Sequence, residues 1–245
     1  MKRTIVVVLA VLALLGIAAA GLLTAGCGSD VPSDAVATVG DAKVTTTELQ
    51  ELLTQAKTQV ETQGSAFPSQ GTSDYDRYVG QIVDYLVQEQ IVAQSAGELG
   101  VSVSDEEVNA QIAQIEKDFG GEEKVLALLE EQGMNRELLE RSLRSQALTR
   151  KVAAAVVKKA SVSDADVQAY WNAHKAQLSE KKATATLAKA TAVIRATLLD
   201  SAKQELWKAW IVERSKALGV DYAAGYDPAE LLASPSPAAA QGNGG

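Results

Sequence analysis

Val36-Ala37-Thr38-Val39-Gly40-Asp41-Ala42-Lys43-Val44-Thr45, followed by Thr46-Thr47-Glu48-Leu49, is the stretch that sets the architecture. β-prone residues flank Gly40-Asp41, a pair that favours a tight turn, so the run reads as two short strands in a small hairpin or extended turn. Thr45 and Glu48 stand at capping-box spacing, in which hydroxyl and carboxylate satisfy free amides of a first turn. A helix therefore opens at Thr46. Leu49, Leu52, Leu53, Ala56 and Val60 form its apolar face, and it ends near Gln63-Gly64 before a Gly/Ser/Pro-rich loop that runs to about Ser73.

Downstream of that loop the pattern is helical almost throughout. Asp74 to about Leu99 carries a broad stripe of Tyr75, Tyr78, Val79, Ile82, Val83, Leu86, Val87, Ile91 and Val92, terminated by Gly100. Ser104 and Glu107 form a second capping box, opening a helix with Val108, Ile112, Ile115 and Phe119 on one face. Gly120-Gly121 ends it, a short helix carries Val125, Leu126, Leu128 and Leu129, and Gly133 ends that in turn. Asn135 caps a longer helix toward Lys159. Ser163 begins another, with Asp164 and Asp166 in the first turn, where negative charge suits the helix dipole. From about Ala183 to Leu218 the pattern is again helical, with Gly219 as a C-cap. The fold expected is mostly α, with a small N-terminal β element and a long C-terminal helix.

At the N-terminus, Lys2 and Arg3 precede an apolar run from Ile5 to Leu23, and Leu23-Thr24-Ala25-Gly26 leads to Cys27, the only cysteine of the chain. Cations that stay cytoplasmic, an apolar segment that enters the bilayer and small residues at a cut site are the parts of a lipoprotein signal peptide. It resembles a lipobox, with Thr24 where an aliphatic residue is usual. Cys27 is then the lipid attachment site, carrying acyl chains such as palmitate that tether the protein to the extracytoplasmic face of the cell membrane. Two alternatives stand beside it: an uncleaved anchor, since about twenty apolar residues span a bilayer, and an ordinary cleaved signal. All three leave residues 28–245 on the same side. The division expected is 1–26 signal peptide, 27–34 linker, 35–178 helical domain, 179–226 C-terminal helix on the same domain, and 227–245 disordered tail, where Ser234-Pro235-Ser236-Pro237 opens a low-complexity run.

The formal net charge of -8 becomes about -10 without Lys2 and Arg3, which argues against nucleic acid as a partner. With 47% hydrophobic residues in periodic order, the chain buries a real core, and with only 4% aromatics that core is made of small and medium side chains. Nothing points to bond chemistry. His174, the single histidine, lies in Tyr170-Trp171-Asn172-Ala173-His174-Lys175 with no serine or cysteine nucleophile nearby and reads as a surface or helix-packing residue. Asp105/Glu106/Glu107 and Glu122/Glu123 sit in first helical turns, where capping and the dipole explain them without a metal. Gly120-Gly121-Glu122-Glu123-Lys124 is acidic and has the wrong order for a phosphate loop. No catalytic residue, metal or cofactor is expected.

The order of three runs carries a family resemblance. Val36–Thr45 with Glu48-Leu49, then Leu86–Ala96 leading into Gly100-Val101-Ser102-Val103-Ser104-Asp105-Glu106-Glu107-Val108, then Val162-Ser163-Asp164-Ala165-Asp166-Val167-Gln168-Ala169-Tyr170, together resemble the N-terminal chaperone domain of the SurA and PrsA families. The likeness covers roughly residues 35–178, and the C-terminal helix with Trp207, Trp210 and Tyr222 fits it as well. The resemblance implies an extracytoplasmic foldase acting on unfolded or newly exported polypeptides. Its isomerase-bearing members insert a parvulin domain after the third run. Here only Leu178 to about Ala192 separates the flanking helices, no glycine occurs from Met134 to Leu218, and the two histidines usual in a parvulin site are not available. The expectation is thus a membrane-anchored chaperone without the isomerase domain. Peptidyl-prolyl isomerisation and an envelope scaffold with one fixed protein partner are the alternatives. A chaperone of this kind holds clients on partly apolar surface. The candidates are Phe67, Tyr75, Tyr78, Met134, Tyr170 and Trp171, each also at home in a core; Phe67 is the one expected to stand free, beside Pro68 in an aperiodic loop.

Overall fold

β1 (Ala35–Val39) and β2 (Ala42–Thr45) form the hairpin, with Val39 opposite Ala42 across Gly40-Asp41. A computed structural model of the protein describes residues 31–180 and 186–233. The leader, Cys27, the residues around Ala183 and the Ser-Pro run at 234–237 lie outside the described residues. β1 is the central strand of a three-stranded sheet in the order β2-β1-β3, because β3 (Val220–Tyr222) pairs antiparallel with its other edge, placing Ala37 opposite Tyr222 and Val39 opposite Val220. The sequence reading places only two strands here. With both edges paired and α-helix against it, β1 buries Ala35, Val36, Ala37 and Val39 rather than alternate residues.

The capping box works as read: Glu48 N donates to Thr45 Oγ1 at 3.1 Å and Thr45 N to Glu48 Oε2 at 2.8 Å, opening α1 (Thr46–Thr62). α2 (Ser73–Ala96) follows the loop and continues as a 3-10 turn to Leu99, closed by Gly100 in the left-handed conformation. It buries Val79, Val83, Leu86, Val87, Ile91 and Val92 against the sheet, α1 and the later helices. Gln94 Nε2 donates to the Val39 carbonyl at 2.7 Å, locking α2 to the hairpin.

α3 (Asp105–Phe119), α4 (Glu122–Glu131) and the first half of α5 (Arg136–Val156) enclose a second cluster of Val108, Ile112, Val125 and Leu139. The second half of α5 rejoins the main core through Val152 and Val156. The acidic first turns here are structural. Glu107 completes the Ser104 capping box and accepts from Lys151 at 2.6 Å, Asp105 accepts from Arg144 at 2.5 Å, and Glu122 accepts from Arg136 at 2.7 Å.

α6 (Asp164–Ser179) and α7 (Leu187–Leu218) form an antiparallel pair around Val167, Ala190 and Ile194. Ser163 and Asp166 make a capping box at its start, and Arg195 of α7 bonds both the Val162 carbonyl and Asp164. The far half of α7 returns to the main core with Trp207, Trp210 and Ile211. There Arg214 Nε donates to buried Ser95 Oγ at 3.0 Å. The far half of this long helix thus packs on the main core. The expected tail needs a correction: residues Pro228–Ala233 are helical (α8) and lie on α2. Proline suits a first helical turn, Asp227 Oδ1 accepts from Ala229 N at 2.8 Å, and Leu231 packs on the main core.

Candidate functional site

The six residues proposed from sequence fall at three places. Phe67 comes down from its loop onto α2, its ring 4.9 Å from that of Tyr78 and 6.2 Å from that of Tyr75. All three are half-buried on the main core. Phe67 therefore does not stand free, contrary to expectation: aromatic contact with a neighbouring helix supplies the burial that its aperiodic loop does not encode. Tyr170 and Trp171 are half-buried on the α6–α7 cluster, and His174, exposed, stacks on Tyr170 with ring centroids 4.1 Å apart. Met134 is half-buried in the α4–α5 connection, its N–H donating to the Leu129 carbonyl at 2.8 Å.

Met134 follows Gly133, and Gly133 lines a cleft of about 290 Å³ with Thr47, Gln50, Glu51, Thr54, Gln55 and Leu138. α1 forms one wall and the start of α5 the other. Arg141 Nη2 of α5 donates to Glu51 Oε2 of α1 at 2.8 Å, tying the walls together and raising the guanidinium pKa. Between these helices α2 presents Tyr85 and Glu89. Burial raises the Glu89 carboxyl above the ordinary carboxylate value, opposed by Ser145 and Arg141 and reinforced by Glu48. Burial and the charge of Glu89 push the Tyr85 phenol up to about 12. Sequence reading missed this polar region, because its members come from three helices and each looks like an ordinary surface residue of its own helix.

Chemically, the cleft offers amide and hydroxyl groups from Gln50, Gln55, Thr47 and Thr54 next to a charged pair. Those groups suit hydrogen bonding to an extended backbone without regard to its side chains. The aromatic cluster at Phe67 offers apolar contact instead. Elsewhere on α2 the Asp84 carboxyl is raised by burial, and the Tyr222 phenol of β3 is raised by burial and by the charges of Asp84 and Asp227. Among the described residues no group of three or more His, Cys, Asp or Glu is placed to hold a metal, and no helix is long and apolar enough to cross a membrane.

The chain is 26% identical over 164 residues to the foldase protein PrsA of Caldanaerobacter subterraneus subsp. tengcongensis, an alignment that takes in 63% of this chain and 48% of the relative. The chain thus aligns with about half the length of that curated relative. A family model, the SurA-like N-terminal domain, matches residues 1–153, which include the hairpin, the capped α1, the long α2 and the α3–α5 cluster. The chain belongs to the SurA-like N-terminal domain family.

Proposed function

We propose that the protein is a chaperone, held by lipid at Cys27 on the extracytoplasmic face of the cell membrane, that binds unfolded or newly exported polypeptides while they fold. The match of residues 1–153 to the SurA-like N-terminal domain carries this reading. The name of its PrsA relative, a foldase, agrees with it. Binding is reversible and needs no nucleotide or cofactor: backbone groups of the client hydrogen-bond in the α1–α5 cleft, while apolar side chains meet the aromatic surface at Phe67, Tyr75 and Tyr78. Met134 lies next to the cleft wall, and Tyr170 and Trp171 extend the apolar contact along the α6–α7 pair. The acidic surface keeps the holder soluble and away from acidic headgroups, so the lipid rather than surface charge retains it at the membrane.

The test is suppression of aggregation of several unrelated unfolded proteins at micromolar concentration, run beside prolyl isomerisation of a tetrapeptide. Suppression across clients without catalysis is the expected result. Clear catalysis would replace the reading with an isomerase, and binding confined to one native protein would replace it with a scaffold. Mass spectrometry of membrane-extracted protein tests the anchor separately: a diacylglyceryl group on an N-terminal Cys27 is expected, and an unmodified Cys27 within an intact leader would leave Ile5–Leu23 as the tether.

A further inference from the structure

The residues that line the α1–α5 cleft are neutral with one exception, Glu51. The neutral groups do not choose between clients. Thr54 Oγ1 donates to the Gln50 carbonyl at 2.8 Å, so its proton is used within α1 and its oxygen is left to accept, while the amides of Gln50 and Gln55 both donate and accept. Groups of this kind meet the backbone of any extended segment alike. Discrimination between segments therefore falls to the carboxylate.

Glu51 is only half committed to its partner. Its Oε2 accepts from Arg141 Nη2 at 2.8 Å, and among the described residues no hydrogen bond reaches Oε1. The side chain is 40% exposed, open enough for a ligand to approach. The cation of Arg141 does not neutralise the site, because Glu48 of α1 and Glu89 of α2 act on it together with Glu51. Even with Glu89 protonated, the group carries net negative charge. The opposite wall adds acid rather than base. Exposed Glu131 and Glu137 stand two residues before Gly133 and one before Leu138, and Arg136 between them is taken up by Glu116, Glu122 and Glu140 at 3.0, 2.7 and 3.2 Å. On α1, Lys57 lies beyond Thr54 and leans to Glu61 at 3.9 Å. A concave site with one sign of charge concentrates its field on whatever enters.

We propose that the α1–α5 cleft selects extended client segments carrying lysine or arginine, with Glu51 as the residue that sets the preference. The segment's backbone meets Gln50 and Gln55, and its ammonium or guanidinium group donates to Glu51 Oε1. An acidic segment meets the same amides and is repelled by the carboxylates. The proposal rests on the chaperone reading above and names the class of client that the cleft takes.

The test uses the full chain and short dansyl-labelled Ser/Ala peptides with Lys, Gln or Glu at two central positions, their binding read by fluorescence anisotropy. Wild type should bind the Lys peptide about threefold to fivefold more tightly than the Gln peptide, the scale of one partly exposed ion pair, and the Glu peptide most weakly. The spread should shrink in about 0.5 M salt. Glu51→Gln should abolish the Lys-over-Gln ratio, weakening the Lys peptide while tightening the Glu peptide; a cleft merely loosened by loss of the Arg141 tie would weaken all three alike. Arg141→Gln, which breaks the same tie but keeps the carboxylate, should preserve or increase the ratio. Should Arg141→Gln not fold, the opposite shifts of the Lys and Glu peptides in Glu51→Gln decide alone. A ratio unchanged in Glu51→Gln would trace the preference to the acidic surface at large and overturn the role of Glu51. If the three peptides bind wild type equally, or none binds while aggregation of reduced, unfolded lysozyme is still suppressed, the preference is wrong and the chaperone reading stands. If no peptide binds and no client is protected, the chaperone reading fails and the preference with it.

Discussion

Along α7, residues 207–211 sit on the main core, whereas residues 187–198 sit against α6. The main core gathers sixteen buried apolar residues from the sheet, α1, α2, α5 and α7; the α6–α7 cluster buries three. One continuous helix therefore runs from a region stabilised by many elements into one stabilised by a single neighbour. Burial contributes roughly in proportion to area, so the two ends of α7 should open at different free energies although the helix joining them is unbroken.

The largest test of that contrast is Ile91→Ala in α2. Ile91 is 1% exposed and belongs to the main core, so the cavity should cost about 2–5 kcal/mol of global stability, read from the urea midpoint. Ile194→Ala, equally buried in the α6–α7 cluster, should cost about 2 kcal/mol there. Its signature should differ, however: amide exchange should accelerate in α6 and the near half of α7 with little change in the global midpoint. A midpoint shift as large as that of Ile91→Ala would mean the two regions unfold as one.

Capping gives a finer comparison. Thr45→Ala and Ser163→Ala each remove a capping-box hydroxyl, a loss of about 1 kcal/mol of helix stability. At Thr45 the loss should appear in the urea midpoint, because α1 packs on the main core. At Ser163 it should appear only as faster exchange in the first turn of α6. Equal midpoint shifts would contradict the regional difference.

The smallest effect is one of pH, and it belongs to the main core. Asp84 and Glu89 are raised by burial, so the folded chain holds these protons to higher pH than the unfolded chain does. By linkage, their contribution favours the folded state below the ordinary carboxylate range and is lost as pH rises through the raised values. Glu89→Gln should therefore raise the urea midpoint at about pH 7 more than at about pH 5. A midpoint gain that is the same at both would show that Glu89 is ionised alike in folded and unfolded chains.

Helix starts were legible where the signal is local. Thr45/Glu48 and Ser104/Glu107 mark α1 and α3 because a cap is completed within one turn, and Gly100, Gly120 and Gly133 mark helix ends by the same locality. Partners distant in sequence were not legible. Val220-Asp221-Tyr222 is too short to show a period, and its pairing with β1 depends on α7 delivering it to that edge. Phe67 lacks periodicity in its loop, yet α2 receives it. Pro228–Ala233 sits beside a low-complexity run, and packing on α2 and the main core gives it its place. The α1–α5 cleft was hidden for the same reason, since Glu51, Tyr85, Glu89 and Arg141 become neighbours only after three helices pack.

The central position of β1 also bears on synthesis. A strand made near the start of the described chain waits for residues 220–222 to satisfy its second edge, while the α3–α5 cluster draws on a contiguous stretch and can close early. Long-range pairing of this kind slows folding. A ribosome-bound chain halted before Val220 should thus protect α3 and α4 from proteolysis while leaving the β1 edge open, so that the growing chain has an assembled middle before its beginning and end have met.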